Sequence, residues 1–260
     1  SLNGPWRFRF DDACALRHPA DIDQWPLEIR VPFPPESRAS GIGDRGFHRA
    51  CWYQRDFTLA PGPDREILRF GAVDYGARVW VNGALVATHE GGHTPFAADI
   101  THQLDPSGRQ CVTLRAEDDP QELTKPRGKQ DWQLEPHAMW YPRTTGIWQT
   151  VWIERVGRIY IDKIRWTPKV EGYMIGFEAR IVGDDLEDDL AVEVELRHGE
   201  RLLARDRYRV VQHEVDHLDG LLFLDKVVDP STLTTWDSFN QFHHDAFVER
   251  AKALVAKHGS

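Results

Sequence analysis

Short apolar and β-branched runs, each ended by turn residues, follow one another from about Arg65 to Val211. The clearest is ARVWVNGALVATHE, in which Asn82-Gly83 separates two strand-like runs. Both turn positions of such a hairpin favour positive φ, which Asn and Gly tolerate. Pro and Gly mark the other connections, and no helical pattern alternates with the strands. The pattern predicts an antiparallel β-sandwich rather than a parallel α/β sheet.

The pattern changes near Val210. LAVEVELRHGERLLARDRYRVV predicts a last hairpin, with its turn at His198-Gly199. Beyond it, Val211, Val215 and Leu218 recur at helical spacing, LLFLDKVV predicts a strand, and TTWDSFNQFHHDAFVERAKALVAKH predicts a second helix. The chain is therefore expected to be mainly β, with a helix–strand–helix segment over 211–260.

Charge and cysteine content narrow the function classes. The 41 acidic and 32 basic residues give a formal charge of −9, which argues against binding nucleic acid or an anionic membrane surface. The three cysteines are widely spaced, so they predict no disulfide framework or zinc cluster and favour a reducing compartment, the cytoplasm. No pattern of a signal peptide or membrane helix is present. The oligomeric state stays open.

One motif carries the residue types of metal chemistry. His213 and His217 are four residues apart, which places both imidazoles on one face of the predicted helix. Glu214 lies beside them, where a carboxylate can exchange a proton with a metal-bound water. The motif therefore predicts a divalent metal, Fe²⁺, Zn²⁺ or Ni²⁺, with Glu214 as the catalytic group.

The wider context, QHEVDHLDG followed by LLFLDK, resembles the third motif of peptide deformylases. The resemblance implies that His213 and His217 are metal ligands, that Glu214 is the general acid/base, and that the substrate is a formylated peptide. The family's glutamine motif and its cysteine ligand have no counterpart in this chain. A third ligand would have to be His93, His137 or a cysteine.

A longer series of motifs in the N-terminal part resembles the non-catalytic domains of glycoside hydrolase family 2, the family of β-galactosidases and β-glucuronidases. The series is SLNGPWRFRFD, VPFPPES, CWYQRDF, LRFGAVDYGARVWVNGALVATHEGGHTPFAADIT, PRGKQDW and PHAMWYPRTTGIWQTVWIE. The resemblance implies a sugar-binding jelly-roll sandwich over 1–158 and part of an immunoglobulin-like domain over 159–210. The family's two catalytic carboxylates stand on a TIM barrel of about 250 residues, for which the chain has no room.

The same resemblance implies contacts with a sugar. Asp74 matches a position that is polar and close to the sugar, and the segment from His137 to Arg143 matches a loop near the site. Trp132 and Trp140 offer aromatic faces on which a sugar can stack. Two interpretations stay open, since Asp74 also suits a turn carboxylate and both tryptophans also suit a structural role.

Three functions follow from these patterns. The first is a carbohydrate-binding accessory region for β-glycosides, fused near residue 210 to a deformylase-like, metal-binding segment. The second is a metal-dependent deformylase or amidase that removes formyl from formyl-methionine. The third is a non-functional fusion product in which only the sandwich folds.

Overall fold

The structure, a computed structural model, describes residues 1–122, 124–169, 174–183, 190–209 and 249. The chain divides into two compact units, Ser1–Tyr160 and Ile161–Ser260. Among the described residues, no helix is long and apolar enough to cross a membrane.

A six-stranded antiparallel sheet forms one layer of the first unit. Its strands are β1 (Gly4–Phe10), β2 (Leu27–Val31), β3 (Ala50–Thr58), β6 (Gly76–Val81), β7 (Ala84–Glu90) and β9 (Arg109–Glu117). Their order across the sheet is β2-β1-β3-β9-β6-β7. The two longest strands, β3 and β9, pair along their whole length at the centre of the sheet.

A smaller sheet forms the opposite layer, in the order β11-β4-β8. Its strands are β4 (Arg65–Phe70), β8 (Phe96–Asp99) and β11 (Val151–Val156), while β5 (Val73–Asp74) pairs separately with β10 (Gly146–Ile147). Three short 3₁₀ turns lie at Pro19–Asp21, Arg38–Ser40 and Thr101–Gln103.

The core lies between the two layers because strand residues alternate between faces. Trp6 and Phe8 of β1 and Val112 and Leu114 of β9 point inward and are at most 1% exposed. They pack with inward residues of the other strands, among them Ile29, Val31, Tyr53, Leu68, Phe70, Val79 and Ile147. The sheet's outer face is also partly covered, since Trp52 and Trp80 stack there with their ring centroids 5.4 Å apart.

The strand β12 (Ile159–Lys169) begins two residues before the second unit. It is followed by β13 (Met174–Gly183), β14 (Ala191–His198) and β15 (Arg201–Arg209). β12 pairs with β13, and β14 pairs with β15 as an antiparallel hairpin. Gly199 in the hairpin turn has φ 59°, the left-handed conformation that glycine adopts without strain.

The structure confirms the prediction of a mainly β protein built from sandwich-like sheets. The Asn82-Gly83 turn is present, with φ 51° and 85°, between β6 and β7. The sheet also contains β1, β2 and β3, which precede the strand pattern taken to begin near Arg65. Apart from residue 249, the segment 211–260, for which a helix–strand–helix is expected, lies outside the described residues.

Candidate functional site

The connection from β9 to β10, residues 118–145, carries most of the residues proposed to contact a sugar. It folds back on itself, because the Tyr141 amide donates to the Lys129 carbonyl at 2.8 Å and the Asp131 amide donates to the Tyr141 carbonyl at 2.8 Å. Arg143 anchors its end, pairing with the carboxylate of Asp118. These hydrogen bonds and this ion pair hold the backbone of the loop in one conformation.

A buried carboxylate lies at the centre of this loop. Asp131 is fully buried and accepts the amides of Gln133 and His137 at 2.9 and 2.7 Å. Its Oδ2 also lies 2.7 Å from Nδ1 of the His137 ring. Burial raises the pKa of Asp131, but the two amides and the imidazole outweigh it and lower the pKa overall. When the ring is neutral, this contact favours the tautomer that carries its proton on Nδ1, and Nε2 is then an acceptor.

Two tryptophans stand beside this histidine. The ring centroid of Trp132 lies 5.3 Å from that of His137 and 5.1 Å from that of Trp140, both edge to face. Trp132 is 48% exposed. The structure therefore brings Trp132, His137 and Trp140 together as one exposed surface, the aromatic ledge. An exposed aromatic face beside a hydrogen-bond acceptor can contact a ring that carries hydroxyl groups.

Asp74 lies elsewhere, at the end of β5, and is 3% exposed. Its Oδ2 accepts from Nε2 of Gln130 at 2.6 Å and from the Thr144 hydroxyl at 3.0 Å. Burial raises the pKa of Asp74, the charge of Asp118 adds to this, and the two hydrogen bonds oppose it. Asp74 thus binds the loop on both sides of the aromatic ledge, at Gln130 before it and at Thr144 after it.

Arg143 lies near Asp74 but not on the aromatic ledge. Its guanidinium carbon is 5.4 Å from the ring centroid of Phe47, and its side chain is mostly buried. Asp74 and Arg143 line the same cavity, whose volume of about 10 Å³ accommodates roughly one water molecule and no sugar ring. The five sequence-predicted positions therefore form two groups. Three of them form the exposed aromatic ledge, and Asp74 and Arg143 lie together beside the small cavity.

Glu36 was not singled out from the sequence, although it lies in the quoted motif VPFPPES. Its Oε2 accepts the amide of Thr145 at 3.2 Å, at the end of the same loop. Burial raises the pKa of Glu36 to about 7. Nothing local in the motif indicates this burial, which comes from strands distant in sequence.

The predicted metal residues His213, Glu214 and His217 lie outside the described residues. Within the part that the structure describes, no group of three or more His, Cys, Asp or Glu side chains is placed to hold a metal ion. His137, one of the proposed third ligands, directs Nδ1 to Asp131. The metal site stays a prediction.

The sandwich matches a known domain family. Residues 46–151 match the family model described as glycosyl hydrolase 2 galactose-binding domain-like. The chain is 33% identical to the β-glucuronidase of Canis lupus familiaris over 199 residues, which is 65% of this chain and 30% of that protein. It is 27% identical to the β-glucuronidase of Paenibacillus borealis over 205 residues, covering 72% of this chain and 33% of that protein.

Solved structures share the fold. The β-glucuronidase of Faecalibacterium prausnitzii superimposes with a TM-score of 0.59 at 23% identity, covering 80% of this chain and 39% of that one. The β-glucuronidase of Ruminococcus gnavus in complex with uronic isofagomine gives a TM-score of 0.63 at 19% identity, covering 80% and 37%.

Residues 46–151 of the N-terminal sandwich therefore resemble a glycosyl hydrolase 2 galactose-binding domain. The chain spans about a third of the length of the β-glucuronidases that it matches. The match to the family model ends at residue 151, and these comparisons give no support to a peptide deformylase segment.

Proposed function

We propose that the first unit is an accessory domain that contacts β-glucuronides through the aromatic ledge. The observation that carries this proposal is the ledge itself, an exposed tryptophan beside a histidine that a buried carboxylate orients. The names of the relatives supply the sugar class, since each of those compared is a β-glucuronidase.

The chemistry of the ledge suits a sugar ring. Trp132 presents an apolar face to the C–H side of the ring, and the Nε2 lone pair of His137 accepts a hydrogen bond from a hydroxyl group. One aromatic contact and one hydrogen bond on an open surface support only weak binding. We expect a dissociation constant of about 1 mM, which corresponds to roughly −4 kcal/mol.

Amide chemical shifts of residues 131–141 in the full chain test this proposal, with methyl β-D-glucuronide as ligand and methyl β-D-galactoside for comparison. The shifts that the glucuronide causes in this loop should be lost in Trp132→Ala. Trp166→Ala is the matched control, because Trp166 is 53% exposed but lies in the second unit. If neither glycoside binds, or if Trp132→Ala binds as well as the parent chain, the proposal is wrong.

For residues 211–260 we propose, from their sequence alone, a segment in which His213 and His217 bind a divalent metal and Glu214 is the acid/base group. The spacing of the HEVDH motif supports this proposal. We also propose a cytoplasmic location, which the sparse cysteines support. Turnover of a formyl-methionyl peptide that disappears in Glu214→Gln would support a deformylase reaction, and a turnover unchanged in that variant would exclude it.

A further inference from the structure

A groove of about 520 Å³ lies on the outer face of the six-stranded sheet. β7, β6 and β9 lie side by side there and contribute two rows of outward side chains. Gly76 on the middle strand forms the floor and adds no side chain. Its residue partners are Glu90 on β7 and Glu117 on β9.

The first row brings two arginines together. Arg78 on β6 is directly opposite Arg115 on β9. Like charges at directly opposite positions of neighbouring strands destabilise a sheet. An anionic group placed between the two guanidinium groups would remove this repulsion.

Only part of the Arg115 guanidinium has an acceptor among the described residues. It is only 3% exposed and lies 5.9 Å from the ring centroid of Trp52. Its Nη1 donates to Glu117, while Nε and Nη2 are buried and make no hydrogen bond to any residue that the structure describes. A buried guanidinium without enough acceptors is unfavourable, so this row favours a carboxylate ligand that accepts from arginine.

The second row consists of acceptors. Glu90 and Glu117 flank the open position at Gly76, about 7 Å along the strands from the arginine row, since each residue rises about 3.4 Å. Burial raises the pKa of Glu117, but the neighbouring Arg115 outweighs it and keeps that carboxyl ionised at neutral pH. Two carboxylates repel a simple anion but accept hydrogen bonds from hydroxyl groups.

A ligand for both rows needs a carboxylate at one end and hydroxyl groups about one sugar ring away. We propose that this groove is a second saccharide site that binds a hexuronate, with its carboxylate between Arg78 and Arg115 and its hydroxyls donating to Glu90 and Glu117. Lys125 lies at the rim, with Nζ 5.3 Å from the ring centroid of Tyr75, and adds positive charge.

Amide chemical-shift titration of the full chain tests the site with sodium D-glucuronate, D-glucose and sodium acetate. Glucuronate should shift the amides of Gly76, Thr88 and Glu90 in a saturable manner, at least tenfold more tightly than glucose or acetate. Arg78→Ala should weaken this binding at least tenfold. Arg30→Ala is the control, since Arg30 is exposed on the same sheet at the opposite edge.

A second variant keeps the proposal testable if Arg78→Ala alters the sheet. A Cβ on Gly76 would lie 3.5 Å from the Glu117 carbonyl, an ordinary contact, so Gly76→Val should fold while filling the floor and abolishing binding. The proposal would be overturned if acetate bound as tightly as glucuronate. It would also be overturned if Arg78→Ala or Gly76→Val bound glucuronate as tightly as the parent chain. Loss of these shifts in Trp132→Ala would also overturn it, because the ledge would then be the binding site.

Discussion

The buried carboxyl of Glu36 makes the stability of the sandwich depend on pH in a way that one substitution should remove. Burial raises the pKa of Glu36 from 4.5 to about 7 in the folded protein. The Glu36 carboxyl therefore stays protonated in the folded state at pH values where it is ionised in the unfolded chain. Stability from this group is fully present below about pH 4.5 and falls as the pH rises through about 7.

The pKa difference sets the size of the effect. A gap between 4.5 and about 7 corresponds to about 3 kcal/mol, at roughly 1.4 kcal/mol per pKa unit. The Glu36 side chain keeps some exposure to solvent, so we expect about 2 kcal/mol. Glu36→Gln stays neutral at every pH, and its amide oxygen can still accept the hydrogen bond from Thr145.

Urea unfolding, followed by tryptophan fluorescence at pH 5 and pH 8.5, measures the effect. Glu36→Gln should exceed the parent in free energy of unfolding by less than about 1 kcal/mol at pH 5 and by about 2 kcal/mol at pH 8.5. Glu28→Gln, an exposed change on β2, should keep the pH dependence of the parent. The reasoning fails if Glu36→Gln and the parent differ equally at both pH values, or if the variant is less stable at pH 8.5.

Three further outcomes are expected. Gly146→Ala should lower the free energy of unfolding by about 2 kcal/mol or more, because Gly146 has φ 73° and an added Cβ would clash with the Tyr53 hydroxyl. Gly62→Ala is the control, and it should change little in the same urea assay because the space around Gly62 is open. Asp131→Asn should weaken glucuronide binding about as much as removal of the His137 side chain does, and circular dichroism should show that the fold is retained. Unchanged binding would contradict the role given to the Asp131 carboxylate. Metal analysis of protein purified without added metal should find close to one iron, zinc or nickel per chain and much less in His217→Ala; no metal in the parent would exclude the metal site.

The strands could largely be predicted from sequence because their signals are local. Alternation of apolar and polar residues has the period of a strand, and Asn82-Gly83 supplies the two positive φ angles of its turn. β1 carries the same alternation, with Trp6 and Phe8 buried and Arg7 exposed, so a local signal for this strand is also present in the sequence. The residues of the aromatic ledge were reached through a motif resemblance, which named them without their geometry.

The partners of those residues could not be predicted. Asp74 binds Gln130, 56 residues away, and Thr144, 70 residues away. No local pattern encodes such a pairing. The sequence resemblance grouped Asp74 and Arg143 with the tryptophans, whereas the structure places both against a cavity of about 10 Å³ behind the loop.

The sequence alone determined the class of fold, the positions of its turns and the candidate ledge residues, because periodicity, turn chemistry and motifs are properties of neighbouring residues. The tertiary structure decided which of those residues share a surface. It also decided that Glu36 is buried and that Arg78 faces Arg115. Burial and strand register depend on chain segments far apart in sequence, and they set both the desolvation that shifts a pKa and the distances between charges.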